Sequence, residues 1–204
     1  MKFVLFVEGK TEQKALPNFF RRWLEPRLKT HPGITTVRFH GWSEYDRDIA
    51  KKVSLHISGP NQSDIIAAIG LIDLYGPTIY PPNLSTSDKR YAWGKTYFED
   101  KVKNAKFRHY FAVHETEAWL LAEPENIPVA ISRNLTKPEK VNFNEPPAKV
   151  LQKAYYSAEK RAYKKLVDGY NLFESLSPDA AYNKCPYLRQ MLDEMLALAK
   201  QCGL

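Results

Sequence analysis

The opening stretch constrains the fold most. Five apolar residues, Phe3 to Val7, run straight into Glu8-Gly9, and an amphipathic pattern follows from about Thr11. A run of that length suits one buried strand and is too short for a helix. A carboxylate where the strand ends, a glycine turn, and a second carboxylate, Glu12, one helical turn later mark a candidate site. The rest of the chain has to supply partners for those two acids.

Beyond the turn, Ala15, Leu16, Phe19, Phe20, Trp23, Leu24 and Leu28 recur at helical spacing. The pattern predicts a helix over Thr11 to Leu28, capped by Thr11, with Glu12 against the positive end of its dipole. Pro17 lies inside it and implies a kink or a later start, and Arg21, Arg22, Glu25 and Arg27 read as its solvated face. A short, half-exposed strand is expected over Thr35 to His40, then a helix from Ser43 to Ile57 with Ile49, Ala50, Val53, Leu55 and Ile57 inward. A second buried strand, Ile65 to Ile72, closes on Asp73, and a polar helix follows over Ser87 to Asn104. The third buried strand, His109 to Val113, runs into His114-Glu115-Thr116-Glu117 and a short helix, Ala118 to Ala122. Strands alternating with helices about every thirty residues predict an α/β fold with a parallel, doubly wound sheet. The segment from Pro124 to Pro147 is rich in Pro and Asn and reads as an excursion, and helices are expected over Pro147 to Tyr156, Lys160 to Asp168 and Cys185 to Gln201. Ser177-Pro178-Asp179 is a helix-start or turn signal before the last of these. The expected organisation is an α/β core over 1–123 and a helical C-terminal extension over 124–204, packed on the core.

The 204 residues suffice for a sizeable core, and the net charge of +7 favours an anionic partner, nucleic acid first. The two cysteines, Cys185 and Cys202, have no metal-ligand spacing and suggest neither a zinc site nor a disulfide framework. A reducing cytoplasm fits, and no run approaches the roughly 18 apolar residues of a membrane span.

Each buried strand ends in acid: Glu8, Asp73, and Glu115 with Glu117. In an open α/β sheet, ligands bind outside the carboxyl ends of the strands, where strand order reverses. Carboxylates converging there repel one another unless a cation neutralises them, and hard oxygen ligands select magnesium or manganese over zinc. Any one of these acids could instead be an ordinary solvated strand end. Gly9-Lys10-Thr11 also reads like the end of a phosphate loop, but that motif needs a glycine where this chain has Val4, inside a strand.

The pattern Val7-Glu8-Gly9-x-Thr11-Glu12 followed by an apolar strand into Asp73 resembles the Toprim domain of topoisomerases, primases and OLD-type nucleases. The closer resemblance is to the Toprim-like DUF4276 family. It rests on Leu71-Ile72-Asp73-Leu74-Tyr75-Gly76, on His114 through Leu121, and on Tyr163-Lys164-Lys165-Leu166-Val167-Asp168-Gly169 with Cys185-Pro186. The resemblance implies a Toprim-like sheet, divalent-metal binding and action on phosphodiesters. By position, Glu8 matches the motif glutamate, a metal ligand or general acid/base. Glu12 matches the second acid of OLD-like members, and Asp73 the first aspartate of Asp-x-Asp. Tyr75 stands where the second aspartate would be, so Glu115 or Glu117 has to supply the missing oxygen. If the strand continues, Glu115 and Glu117 share a face; if a helix has begun, they diverge by roughly 200° and one ligates.

Metal-assisted cleavage also needs positive charge for the transition state. Lys165 is the lysine assigned to that role beside Glu8 and Asp73, with Lys10 its rival, while His114 is a base or a polar strand end. Lys10, Lys153, Lys160, Arg161 and Lys164 are the candidate nucleic-acid contacts, because the later four lie in a stretch interleaved with Tyr155, Tyr156 and Tyr163 that suits backbone contact and base stacking. The expected activity is that of a Mg2+- or Mn2+-dependent nuclease with Glu8, Glu12, Asp73, Glu115 and Glu117 as metal ligands. The alternative is a non-catalytic nucleic-acid-binding or regulatory subunit. Expected partners are nucleic acid and, by the resemblance, a separate ATPase in phage defence; a homodimer fits both readings.

Overall fold

A computed structural model describes residues 1–59, 62–127, 137–140 and 146–204. Four parallel strands form one sheet in the order β2-β1-β3-β4, with β1 at Lys2–Val7, β2 at Gly33–Arg38, β3 at Ile65–Asp73 and β4 at Phe107–Ala112. The chain moves outward from β1 to β2, then crosses back to lay β3 on the other side of β1. Strand order therefore reverses between β1 and β3, the place where such sheets bind ligands. Register aligns the carboxyl ends there: Val7 lies opposite both Arg38 and Leu71, and Asp73 opposite Ala112.

Alternation along the strands divides the core into two layers. Phe3, Leu5 and Val7 face helix α1 (Lys10–Leu24), while Val4 and Phe6 face α2 (Trp42–Ile57) and α3 (Ser87–Val102). The first layer continues into the C-terminal segment: Leu172, Phe173, Ala181, Leu188 and Met195 belong to the same buried cluster as α1. In the second layer Tyr45 lies across β3 and meets His109 Nδ1 at 2.9 Å. A β-carbon at Gly70 would come 2.0 Å from the Tyr45 hydroxyl oxygen, so a strand glycine is needed where the ring crosses.

Several expectations shift. Helix α1 runs unbroken through Pro17, and the carbonyl that Pro17 leaves without its helical donor, that of Gln13, has a long 3.5 Å contact from the Thr36 hydroxyl on β2. It stops at Leu24, short of Leu28, and a 3-10 turn over Glu25–Arg27 with Pro26 in it follows. Its basic face is partly covered: Arg22 donates to the carbonyls of Phe173 and Leu176 at 2.6 and 2.9 Å, and Arg27 reaches Asp179 at 2.6 Å. Leu55, expected inward, is 69% exposed, because it stands two residues from Val53 and so about 200° round the helix.

After β4 come a cis Val113–His114 peptide and the short helix α4, Glu117–Leu120. Helix α5 spans Pro147–Glu159 and ends at Lys160, which takes a left-handed conformation at φ 56°. The helix expected over Lys160 to Asp168 does not form. The Asp168 carboxylate accepts hydrogen bonds from both terminal nitrogens of Arg161, at 2.7 and 3.0 Å, and from the Lys164 amide at 2.7 Å, which winds the segment into a loop instead. A π-helical turn, Lys165–Gly169, then leads into α6 (Tyr170–Ser175), α7 (Pro178–Lys184) and α8 (Pro186–Gln201). The Ser177-Pro178 signal starts α7, with the Ser177 hydroxyl accepting from the Ala180 amide. Most of the excursion expected over 124–147 lies outside the described residues. Its described Glu139 is buried and accepts from the amides of Tyr187 and Leu188 at 2.9 and 3.3 Å, capping the first turn of α8 from outside the helix. Among the described residues no helix is long and apolar enough to cross a membrane.

Candidate active site

At the β1/β3 reversal a pocket of about 450 Å³ is lined by residues that include Glu8, Gly9, Lys10, Glu12, Arg38, Asp73 and Lys165. Glu8 and Asp73 come from the two central strands. Glu12 comes from the first turn of α1, and its carboxylate folds back over Gly9, where a β-carbon would sit 2.3 Å from Glu12 Oε2. The glycine after Glu8 therefore makes room for the second acid. Gly9 occupies the N-cap position expected of Thr11, and the buried Thr11 hydroxyl instead donates to the Lys165 carbonyl at 3.2 Å. That bond ties the C-terminal loop to the start of α1.

The π-helical turn delivers Lys165 into the acids. Its Nζ lies 3.2 Å from Glu12 Oε1, 3.3 Å from Glu117 Oε1 and 3.6 Å from Asp73 Oδ2. Thr116, absent from the expected site, binds the carboxylates together. Its amide donates to Asp73 Oδ1 at 3.0 Å and its buried hydroxyl to Glu12 Oε1 at 3.1 Å, with Glu117 Oε2 at 3.4 Å as a longer option. The Glu115/Glu117 question is decided by α4. Glu117 begins the helix and turns inward, 1% exposed, whereas Glu115 Oε2 accepts from the Ala148 amide at 2.9 Å and caps the start of α5. Glu115, expected among the metal ligands, is thus drawn to a helix terminus and away from Lys165.

Glu12, Asp73 and Glu117 share one ammonium, whose charge also acts on Glu8. Burial raises the Glu8 carboxyl above its usual range, the Glu12 charge adds to this, and Lys165 opposes it. Burial raises Asp73 well above the usual range, with Lys165 pulling it back and Glu12, Glu117 and Glu8 pushing it further. Glu117 is likewise raised by burial, with Lys165 opposing. Burial pulls Lys165 down, but Asp73, Glu117 and Glu12 more than reverse that and hold it well above the usual lysine range. Among the described residues Glu8 Oε2 and Glu12 Oε2 are buried oxygens without a hydrogen-bond donor, and Glu117 Oε1 has the Lys165 ammonium at 3.3 Å. Unpaired buried acceptors and an excess of carboxylates over ammonium fit a hard divalent cation in charge and donor chemistry. The side chains are spaced around the ammonium, and no trio of Asp, Glu, His or Cys among the described residues stands ready-made as a metal site.

The remaining candidates divide. Lys10 is exposed at the pocket, and Lys153, Lys160 and Lys164 are exposed beyond it. Arg161 is committed to Asp168 and to Glu159, at 2.6 Å, and lies over the Tyr155 ring at 4.7 Å. Tyr155 is buried and Tyr163 packs against it at 5.4 Å, so of these three tyrosines only Tyr156, 65% exposed, presents an open face. His114 is buried; desolvation and then the nearby Arg90 charge lower its pKa. Arg38, at the end of β2, adds a cation to the pocket that residue patterning did not single out.

The model of the family described as Domain of unknown function (DUF4276) matches residues 7–196. No curated protein matches the chain. Among solved structures, the C-terminal region of the Burkholderia pseudomallei OLD protein is similar at 16% identity and a TM-score of 0.49, covering 98% of each chain. The C-terminal region of the Xanthomonas campestris pv. campestris OLD protein, phased with platinum, is similar at 17% identity and a TM-score of 0.46, over 98% of this chain and 95% of that one.

Proposed function

We propose that this chain, which belongs to the DUF4276 family, is a divalent-metal-dependent nuclease of Toprim type that hydrolyses phosphodiester bonds. One observation carries the reading: Glu12, Asp73 and Glu117 gather around Lys165 at the sheet reversal with Glu8 in the same pocket, and buried oxygens of Glu8 and Glu12 lack a donor. In this reading these four acids hold Mg2+ or Mn2+. When bound, the metal polarises the phosphate and eases ionisation of its water. Lys165, held charged by the carboxylates, faces the negative charge that builds on the phosphate. Thr116 keeps Asp73 and Glu12 oriented through its amide and hydroxyl, and Lys10 and Arg38 draw the nucleic-acid backbone to the pocket. The sequence resemblance supports a further part of the proposal, action with a separate ATPase in phage defence.

Incubation of the purified protein with labelled DNA and RNA, in manganese, magnesium or chelator, tests the reading. Metal-dependent cleavage is expected, and Glu8→Gln or Asp73→Asn should lower it by at least the roughly 10–100-fold that outer-shell ligand partners cost. Cleavage that needs metal yet survives either substitution refutes the site. A second reading, a non-catalytic nucleic-acid-binding or regulatory subunit, is favoured by the position of Lys165 among the carboxylates, which it neutralises in part without a metal. Calorimetric titration separates the two: no manganese binding at millimolar concentration favours the second.

A further inference from the structure

The pocket at the strand reversal contains a second cation that the acids do not use. Arg38 is half-buried at the end of β2, and among the described residues its guanidinium has no ion pair, hydrogen bond or ring contact. Every other arginine among the described residues donates to a carbonyl, carboxylate or amide oxygen. On an open surface a hydrated arginine needs no partner, but this one lines a cavity of about 450 Å³. The pocket's other cations differ from it: Lys165 is held by the acids, and Lys10 is exposed. A guanidinium presents five donors in a planar fork that matches a phosphate, so Arg38 offers an anion site with its acceptor still to come.

Local sequence fixes where this charge stands. Ile34, Thr36 and Arg38 alternate onto the face of β2 turned to α1, where Ile34 packs and the Thr36 hydroxyl meets the Gln13 carbonyl at 3.5 Å. Val37 and Phe39 enter the opposite layer, and the buried Phe39 ring lies 4.9 Å from that of Tyr45. The Phe39 amide donates to the Val7 carbonyl at 2.9 Å, so pairing with β1 continues past Arg38. Gly41, at φ 112°, then turns the chain into α2, and a β-carbon there would meet nothing within 4 Å, so this side of the pocket stays open. Val7 lies opposite Arg38 on one side and Leu71 on the other, which sets Arg38 two strand spacings, roughly 10 Å, from β3. Charge along the strand ends therefore runs from Arg38 on β2, through Glu8 on β1, to Asp73 on β3. Arg38 pairs with none of these acids, so an anion it holds lies to the β2 side of one that faces them.

We propose that Arg38 holds the phosphate next to the one presented to the acids, so that the nucleic-acid backbone crosses the carboxyl end of the sheet from β3 towards β2. The inference deepens the phosphodiesterase reading and rests on it. It assigns a polynucleotide as the substrate class, because there a second phosphate flanks each phosphodiester, and a molecule with a single phosphodiester leaves Arg38 without an acceptor.

Binding of a short fluorescein-labelled oligonucleotide to the full chain, followed by anisotropy in chelator over a range of salt, tests it. Arg38→Gln should reduce the slope of log affinity against log salt by about 0.7 for a single strand or about 0.9 for a duplex, one phosphate's worth. Arg38→Lys keeps the charge and should keep the wild-type slope. So should Lys103→Gln, whose lysine is exposed where α3 ends ahead of β4. Competition by unlabelled thymidine dinucleotides with no terminal phosphate, a 5′ phosphate or a 3′ phosphate then locates the contact. One of the two phosphorylated forms should compete about tenfold better than the bare dinucleotide against the wild type, and no better against Arg38→Gln. The inference is overturned if the wild type binds no oligonucleotide, if Arg38→Gln keeps the wild-type slope, or if Lys103→Gln reduces it as much. It is also overturned if neither terminal phosphate improves competition against the wild type, an outcome that needs no variant to fold. Cleavage plays no part in these readouts, so a wild type that shows the Arg38 contact but never cleaves counts against the nuclease reading alone.

Discussion

Replacing Lys165 with methionine removes the cluster's ammonium and keeps most of the side-chain volume. The lysine Nζ stands 3.2, 3.3 and 3.6 Å from oxygens of Glu12, Glu117 and Asp73, and the Glu12 and Glu117 side chains are only 5% and 2% exposed. Removing one partner of a fully buried ion pair costs roughly 3–5 kcal/mol, because the remaining charge stays buried without compensation. The Lys165 side chain is 42% exposed, so water already screens part of the interaction and a loss of about 2 kcal/mol is expected. The four acids left behind repel one another and demand a cation more strongly than in the wild type. A ligand that binds only the folded state at a hundred times its Kd adds about 2.7 kcal/mol. Manganese should therefore restore much of the loss in Lys165→Met and stabilise this variant more than the wild type. Urea unfolding at pH 7, followed through the buried Trp23 and Trp119 in chelator and in manganese, measures both effects. A variant as stable as the wild type in chelator would refute the electrostatic account of the cluster. A destabilised variant indifferent to manganese would show that these carboxylates do not form a cation site.

Two further predictions concern the acids' surroundings. Gly9→Ala keeps an allowed backbone, φ −122° and ψ 173°, but its β-carbon has to displace the Glu12 carboxylate from 2.3 Å; manganese affinity by calorimetry should fall about tenfold while far-ultraviolet circular dichroism stays unchanged, and unaltered affinity would remove Glu12 from the site. Burial raises the Glu139 carboxyl from 4.5 to about 7, so between those values the folded chain binds more protons than the unfolded one, and this group's stabilisation, full below pH 4.5, is lost as pH rises through 7. Against Glu139→Gln, which has no such titration, the wild type should lose on the order of 3 kcal/mol of unfolding free energy between pH 4.5 and 8, and parallel stability profiles for the two proteins would contradict this.

Phe3–Val7, Ile65–Ile72 and His109–Val113 were legible as strands because an apolar run is a local property, and the acids that close them were legible for the same reason. The helix periodicities of α1, α2, α3 and α8 were legible too, with boundary errors at Pro26 and Lys160, where a proline or a left-handed residue ends the regular pattern. The α/β class and the place of Glu8 and Asp73 at the ends of buried strands thus follow from local pattern and the alternation of elements, whereas the adjacency of those two strands does not. Tertiary structure decided the rest. Glu117 meets Lys165 and Glu115 caps α5 because a helix begins between them and a distant helix terminus offers an amide. Thr116 matters only because β3 and β4 lie side by side. Lys165 reaches the acids because Asp168 and Arg161 wind its segment into a loop and Thr11, far off in sequence, holds the Lys165 carbonyl. Periodicity records which face of an element is buried. It does not record which carboxylate meets which cation, because that depends on contacts between residues that share no local pattern.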